Sequence, residues 1–157
     1  MSQTITPAAV RKTFTVAAPP QKAFEVFTAG LDRWWPKTHT IGKAPLKRAV
    51  MEPKAGGRWY GIDENGGEDE WGDVLAWEPP ERLLLAWRIS HEWGYDANLL
   101  TEVEVRFTAV DDGQTRVDFE HRGLERLGDS AAAVAARASM DGGWGLILDS
   151  FKAAVGG

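Results

Sequence analysis

The chain of 157 residues contains no cysteine. Disulfides, thiol nucleophiles and thiolate metal sites are therefore excluded. The N-terminus has no apolar segment of the kind that directs secretion, and no run approaches the roughly 18 apolar residues of a membrane helix. From these absences we expect a cytoplasmic protein with no membrane span.

Positive charge is scarce as well, since 18 Lys and Arg face 23 Asp and Glu, for a formal net charge of −5. Nucleic-acid binding depends on clusters of Lys and Arg that neutralise phosphates, and the sequence contains none. His39, His91 and His121 are far apart and lack the spacing of metal ligands. We therefore expect no nucleic-acid partner, no metal and no cofactor.

Tryptophan, in contrast, occurs eight times. Aromatic side chains dominate both protein cores and ligand pockets, so each indole has a structural and a functional interpretation. The length corresponds to one domain over residues 1–157. A domain of this size buries about 68–70% of the surface of its unfolded chain, enough for one sizeable core.

The hydrophobic pattern predicts an α+β protein with an antiparallel sheet. Val10–Val16 alternates as a strand, Pro19 and Pro20 begin a helical pattern, and Gly30 divides it into two short helices that end before Pro36. Six strands in meander order follow, at Arg48–Glu52, Arg58–Ile62, Glu70–Trp77, Leu83–Ile89, Thr101–Val110 and Thr115–Arg122.

Two of the connections are strong hairpin signals, Asn65-Gly66 and Asp112-Gly113. In the last hairpin one face is apolar and the other charged, which predicts cross-strand charge pairing on a wet surface. The apolar face holds Val103, Val105, Phe107, Ala109, Val117, Phe119 and His121. The charged face holds Glu102, Glu104, Arg106, Arg116, Asp118 and Glu120.

The C-terminal segment Met140–Val155 has the apolar stripe of an amphipathic helix. Its N-cap is predicted at Asp141, after a separate short alanine-rich helix at Ser130–Ala138. The stripe consists of Trp144, Ile147, Leu148, Phe151 and Val155. A long helix laid across a curved sheet leaves a gap wherever large side chains hold the layers apart, and we expect the functional site in that gap.

Five segments carry a resemblance to a known family: GGRWY from Gly56, EWGDVLAWEPPERLLLAW from Glu70, EVEVRFTAV from Glu102, EHRGLER from Glu120 and GGWGLILDSF from Gly142. Together they resemble the SRPBCC or START-like (birch-pollen-allergen-like) superfamily, in the branch named for the heat-shock-protein ATPase activator. The resemblance implies a helix-grip fold, with a sheet of about seven strands wrapped around the C-terminal helix and a hydrophobic cavity between them. The eukaryotic activator carries a separate chaperone-binding N-terminal domain, which we expect this chain to lack.

Three functions are consistent with that resemblance. A small hydrophobic molecule bound in the cavity is the first, a cyclase or hydrolase is the second, and a co-factor that contacts a chaperone ATPase is the third. We expect a binding protein rather than an enzyme. The ligand-binding candidates are Trp35, Trp59, Trp71, Trp87, Phe107, Phe119, His121, Trp144 and Leu148, with ordinary core packing as the alternative for each.

Acid–base catalysis would use His121, which the alternation directs toward the C-terminal helix, together with an acidic partner. Strict alternation places Glu70 and Asp73 on opposite faces of one strand, so that only one of them, with Asp73 as the candidate, could join His121. A satisfied core histidine is the alternative. In the loop 90–98, Trp93 and Tyr95 would cap the pocket mouth, form a homodimer contact or have no role.

Overall fold

The computed structural model of the protein describes residues 9–36, 45–90, 94–111, 113–128 and 130–156, except for the side chains of residues 141 and 156. It contains a seven-stranded sheet and three α-helices, which confirms the predicted α+β helix-grip fold. The strands are β1 (Val10–Val16), β2 (Leu46–Met51), β3 (Arg58–Asp63), β4 (Glu68–Glu78), β5 (Arg82–Trp87), β6 (Thr101–Asp111) and β7 (Gln114–Arg122). The helices are α1 (Pro20–Thr28), α2 (Leu31–Trp34) and α3 (Ala131–Gly156), with a 3₁₀ turn at Leu124–Leu127.

The sheet has the order β1-β7-β6-β5-β4-β3-β2, and every neighbouring pair is antiparallel. The last six strands therefore form the predicted meander, and β1 adds to it beside β7. Gly66 and Gly113 have φ angles of 83° and 73°. Those angles lie in the left-handed region that glycine enters without a Cβ penalty, so both predicted hairpin turns have the residue they require.

The outer face of the sheet is charged and its inner face is apolar. Arg122 reaches Glu102 and Glu104 on the neighbouring strand, at 3.1 Å in each case, and Glu104 also accepts from Arg82 at 2.6 Å. The predicted cross-strand charge pairing is thus confirmed. Because these groups are partly exposed, each pair contributes little stability, typically below about 1 kcal/mol, and the inner face carries the core.

Helix α3 runs without a break from Ala131 to Gly156, so the predictions of two separate helices and of an N-cap at Asp141 were wrong. Ser130 caps the helix instead, since its hydroxyl accepts the N–H of Ala133 at 3.1 Å. Gly142 and the glycine after it are poor helix formers, yet both lie within the helix. Burial against the sheet outweighs that preference. The buried side chains of α3 are Ala133, Ala136, Met140, Trp144, Ile147, Leu148, Phe151 and Val155.

Helices α1 and α2 pack beside α3 on the inner side of the sheet. The ring of Phe27 in α1 lies 5.1 Å from that of Phe151 in α3 and 6.0 Å from that of Phe107 in β6, between centroids. Trp34 in α2 donates its indole N–H to the backbone oxygen of Val26 at 2.8 Å. These contacts fix the short α2, whose next residue enters the functional site. None of the helices that the structure describes combines the length and apolar composition needed to cross a membrane.

Candidate functional site: an aromatic cluster between helix and sheet

Three indoles lie side by side on the inner face of three adjacent strands. Trp59 belongs to β3, Trp71 to β4 and Trp87 to β5. The ring centroid of Trp59 is 5.8 Å from that of Trp71 and 5.4 Å from that of Trp87, which are contact distances for aromatic rings. All three side chains are buried, with 1%, 1% and 7% of their surface exposed.

Two glycines allow the close packing around these indoles. A Cβ on Gly61 would lie 2.8 Å from the Trp71 ring. Gly72 is the register partner of both Trp59 and Trp87, and a Cβ there would lie 1.7 Å from the backbone oxygen of Ala86. Any larger residue at Gly72 would force the two strands apart, so the sequence EWGD can adopt this geometry only with glycine at that position.

The remaining rings come from the helices and β7. Trp144 of α3 lies 5.3 Å from Trp87 and 4.7 Å from Phe119, and Trp35, directly after α2, lies 5.0 Å from Trp71 and 6.1 Å from Trp144. The six rings form one connected group, which we call the aromatic cluster: Trp35, Trp59, Trp71, Trp87, Phe119 and Trp144. Its members bridge the sheet and α3.

The other predicted ligand-binding residues lie around this group. His121 touches the cluster through Trp87, at 5.6 Å between ring centroids. Leu148 is buried on α3. Phe107 lies at the opposite end, where its ring contacts Phe24 of α1 at 5.4 Å. The structure thus brings together all the predicted indoles, whereas Phe107 belongs to the packing under α1. The expectation of an open hollow beside the cluster stays a prediction.

His121 is fully buried, and both of its ring nitrogens are hydrogen-bonded. Trp144 donates its indole N–H to Nδ1 at 3.0 Å, and Nε2 lies 2.8 Å from the hydroxyl of Thr101. That hydroxyl donates its proton to the backbone oxygen of Trp87 at 2.9 Å, so it accepts from Nε2–H. The imidazole is therefore the neutral Nε2–H tautomer, and burial lowers its pKa from 6.5 to about 3. This geometry agrees with the core-histidine interpretation.

Neither acidic candidate contacts His121. Asp73 accepts from Arg88 Nε at 2.7 Å, and Glu70 pairs with Arg58. The expectation that the two carboxylates lie on opposite faces was wrong, because the β3–β4 register shifts next to Trp59 and leaves Trp71 as a bulge. Such a bulge adds one residue and reverses the alternation beyond it. Glu70 and Asp73 therefore share the outer face.

The inward acidic residue of β4 is Asp69, which the sequence did not single out. It lies opposite Gly61, and one of its carboxylate oxygens is buried with no hydrogen-bond partner among the residues that the structure describes. Burial, together with the nearby charge of Asp63, raises the pKa of Asp69 above its usual value. The signal that could have identified it is its spacing, because alternation places a residue two positions before Trp71 on the same face as that indole.

A second apolar feature lies on the other side of α1, away from the cluster. It is an open groove of about 330 Å³, between α1 and the β4–β5 turn. The ring of Trp77 forms one wall, 5.0 Å from Phe24, beside Pro79 and Pro80. The Pro79-Pro80 pair predicted the turn, but not the groove.

Tyr95 is 45% exposed and its backbone bridges to Ile89. Three further candidates from the sequence lie outside the described residues: His39, His91 and Trp93. Within the described part of the chain, no three His, Asp or Glu side chains come together as metal ligands would.

The family model of the activator of Hsp90 ATPase homolog 1-like proteins matches residues 17–156. The chain belongs to this family. The assignment confirms the resemblance to the SRPBCC superfamily found in the sequence. No match to the chain was found among curated proteins.

Two solved structures are similar to this family member in sequence as well as in fold. One is an anthrahydroquino-γ-pyrone synthase, Txn09, complexed with SUM, with 38% identity, coverage of 94% of this chain and 96% of that one, and a TM-score of 0.66. The other is the self-sacrificing resistance protein CalC from Micromonospora echinospora, with 37% identity, coverage of 94% and 93%, and a TM-score of 0.69. The Aha1 dimer from Colwellia psychrerythraea, at 19% identity, coverage of 95% and 96% and a TM-score of 0.64, shares the fold.

Proposed function

We propose that this protein binds a small, largely apolar aromatic molecule between α3 and the inner face of the sheet. The observation that carries the proposal is the aromatic cluster, in which five indoles from three strands and the two helical segments meet in one buried place. Indole surfaces favour flat apolar ligands through stacking and burial. Similarity to an anthrahydroquino-γ-pyrone synthase supports a ligand with fused rings.

Burial alone supplies enough affinity for such a ligand. At about 25 cal/mol per Å², a molecule that hides ~200 Å² of its apolar surface gains roughly 5 kcal/mol before the costs of association. Modest binding therefore needs no charged group in the site. Polar contacts would set orientation and selectivity.

Trp35 is the ring that the ligand displaces. It follows a helix of only four residues, and its ring is tilted by 32° against that of Trp71, with the centroids 5.0 Å apart. A flat molecule stacked on Trp71 would occupy the same space. Displacement of the Trp35 side chain is thus the step that opens the site, while α2 and the sheet indoles stay in place.

The test compares binding of fluorene, naphthalene and other flat probes to the wild type, Trp35→Ala and Trp77→Ala. Tryptophan emission and the melting temperature report binding, because a ligand specific for the folded state stabilises it by mass action. We expect tighter binding to Trp35→Ala, which vacates the ligand's place. Trp77→Ala is the matched control, since its ring borders the open groove and not the aromatic cluster.

A flat response of all three proteins across the panel would contradict the proposal. Equal affinities of the wild type and Trp35→Ala would contradict the displacement of Trp35 while leaving binding intact.

An enzyme is the second candidate function, favoured by the 38% identity to a synthase. His121 and Asp73 do not supply a free acid–base pair, since each is engaged in other hydrogen bonds. Catalysis would therefore depend on holding a reactive substrate in one conformation. Turnover that His121→Ala abolishes without loss of binding would instead support an acid–base role. The chaperone co-factor stays a prediction, tested by the chaperone's ATPase rate.

A further inference from the structure

The indole N–H groups of the aromatic cluster are unequally satisfied. Trp144 donates to His121. The Nε1 atoms of Trp59, Trp71 and Trp87 are buried, and none has a hydrogen-bond partner in the described part of the protein. Buried tryptophan N–H groups normally find an acceptor, and few buried polar atoms in a native protein lack one. Three unpartnered indole N–H groups on adjacent strands therefore require an explanation.

The three unpartnered donors belong to indoles that are in ring contact with one another. Trp59 lies between the other two, in ring contact with both Trp71 and Trp87. They belong to neighbouring strands β3, β4 and β5, so they form a single patch on the inner face of the sheet. Trp35, the ring that we propose the ligand displaces, contacts Trp59 and Trp71 directly, with centroids 6.1 and 5.0 Å apart.

The chemistry of this patch selects the ligand's polar group. An indole N–H donates and cannot accept, so the complementary group must be an acceptor. The ring contacts of the three indoles are to one another, to Trp35, to Trp144 and to His121. Burial keeps that histidine neutral at physiological pH. Within the described part of the chain these contacts include no cation, and Lys12, which shares the inner face, lies on β1 opposite Phe119. A carboxylate beside the three indoles would therefore be buried at high cost, whereas a neutral carbonyl would not.

We propose that the ligand is a neutral, carbonyl-bearing aromatic molecule whose oxygen accepts from two of the three unpartnered indole N–H groups, those of Trp59, Trp71 and Trp87. This inference rests on the proposed function and specifies its ligand class. A plain aromatic hydrocarbon would fill the same space and leave the donors unpaired. The carbonyl oxygen has two lone pairs, so it can satisfy two of the donors at once.

The test uses a matched pair of probes, fluorenone and fluorene, which share a flat three-ring frame and differ in one carbonyl. The dissociation constants of both probes are measured for the wild type and for Trp59→Phe, Trp71→Phe and Trp87→Phe, each of which keeps an aromatic ring and loses the N–H. The ratio of the two constants is compared between proteins, which cancels the different solvation of the probes in water. Trp77→Phe, outside the aromatic cluster, is the control.

We expect at least one of the three variants to lower the preference for fluorenone about fivefold, the effect of one neutral hydrogen bond, and Trp77→Phe to leave it unchanged. An unchanged ratio in all three variants would overturn the inference while leaving the binding function standing. Binding of neither probe would overturn both.

A second measurement avoids dependence on the folding of the variants. In wild-type protein labelled with ¹⁵N at the indole nitrogens, fluorenone should shift two or more of the Nε1–H resonances of the patch downfield, and fluorene should not. Indistinguishable indole spectra with the two bound probes would overturn the carbonyl contact.

Discussion

The burial of His121 makes a specific prediction about stability and pH. The folded protein holds this imidazole neutral, with a pKa of about 3 against 6.5 for an unperturbed histidine. Below pH 6.5 the imidazole of His121 binds a proton in the unfolded chain, whereas it stays neutral in the folded protein until the pH approaches 3. The free energy of unfolding must therefore fall as the pH falls from 6.5 toward 3.

The magnitude follows from the two pKa values. Integration of the proton linkage between pH 7.5 and pH 5.0 gives a loss of about 2 kcal/mol from His121 alone. Glu104 and Glu120 have pKa values below their usual range, and their contributions are lost only at lower pH. For Glu104 burial opposes the shift, while hydrogen bonds from Arg82 and Arg122 lower the pKa. Asp69, whose pKa is raised, is present in both the wild type and the variant used below, so its contribution cancels in the comparison.

The assay is urea unfolding at both pH values for the wild type and His121→Gln. Every other titratable group is the same in both proteins and cancels in the comparison. We expect the wild type to lose about 2 kcal/mol more than the variant. Equal losses would refute the buried neutral imidazole. As an independent check, the His121 ring resonances of the wild type should show no titration between pH 7.5 and pH 5.0, and a midpoint near 6.5 would be equally damaging.

Two further matched pairs test the geometry of the site. Gly72→Ala should destabilise the protein by about 3 kcal/mol or more, because the added Cβ would meet a backbone oxygen at 1.7 Å. Gly142→Ala should stabilise α3 by about 1 kcal/mol, because nothing lies within 4 Å of the added Cβ and alanine is the better helix former. Similar melting temperatures for the two variants would contradict the register. Asp69→Asn should raise stability at pH 7, because it removes a carboxylate whose pKa is raised by burial. Asp73→Asn should lower stability by up to about 1 kcal/mol, because it weakens the ion pair with Arg88. The opposite order in urea unfolding would show that the faces of β4 are assigned wrongly.

The order of elements could be predicted because each carries a local signal. The alternation of Val10–Val16 identified β1 with the bounds that the structure has. Asn65-Gly66 specified a hairpin through turn geometry alone. The charged and apolar faces of β6 and β7 were assigned correctly. The register between these two strands is regular as far as Ala109 and shifts only near Asp111. Local pattern was sufficient wherever pairing was regular.

The errors arise where tertiary packing overrides local pattern. Alternation across β4 failed at Trp71, because a bulge is set by the neighbouring strand and not by the residue itself. Asp141 suggested a helix start, but the burial of residues on both sides of it, such as Met140 and Trp144, keeps α3 continuous. Both errors arise from interactions with other segments, which the sequence of one segment does not show.

The candidate site was predictable in its members but not in its arrangement. The sequence identified the indoles individually, yet the contact of Trp35 with Trp71 joins residues from a helix end and a distant strand. Nothing in either segment shows that contact. The three unpartnered N–H groups likewise emerge only when every acceptor around Trp59 and its neighbours is known.

The most direct test of binding between helix and sheet uses the methyl groups of α3. Leu148 faces the sheet and is 2% exposed, whereas Leu146 on the same helix is 57% exposed. When protein labelled with ¹³C at the leucine methyl groups is titrated with fluorenone, the account predicts saturable shifts at Leu148 and none at Leu146. Shifts at Leu146 alone, or no saturable shift at either residue, would contradict it.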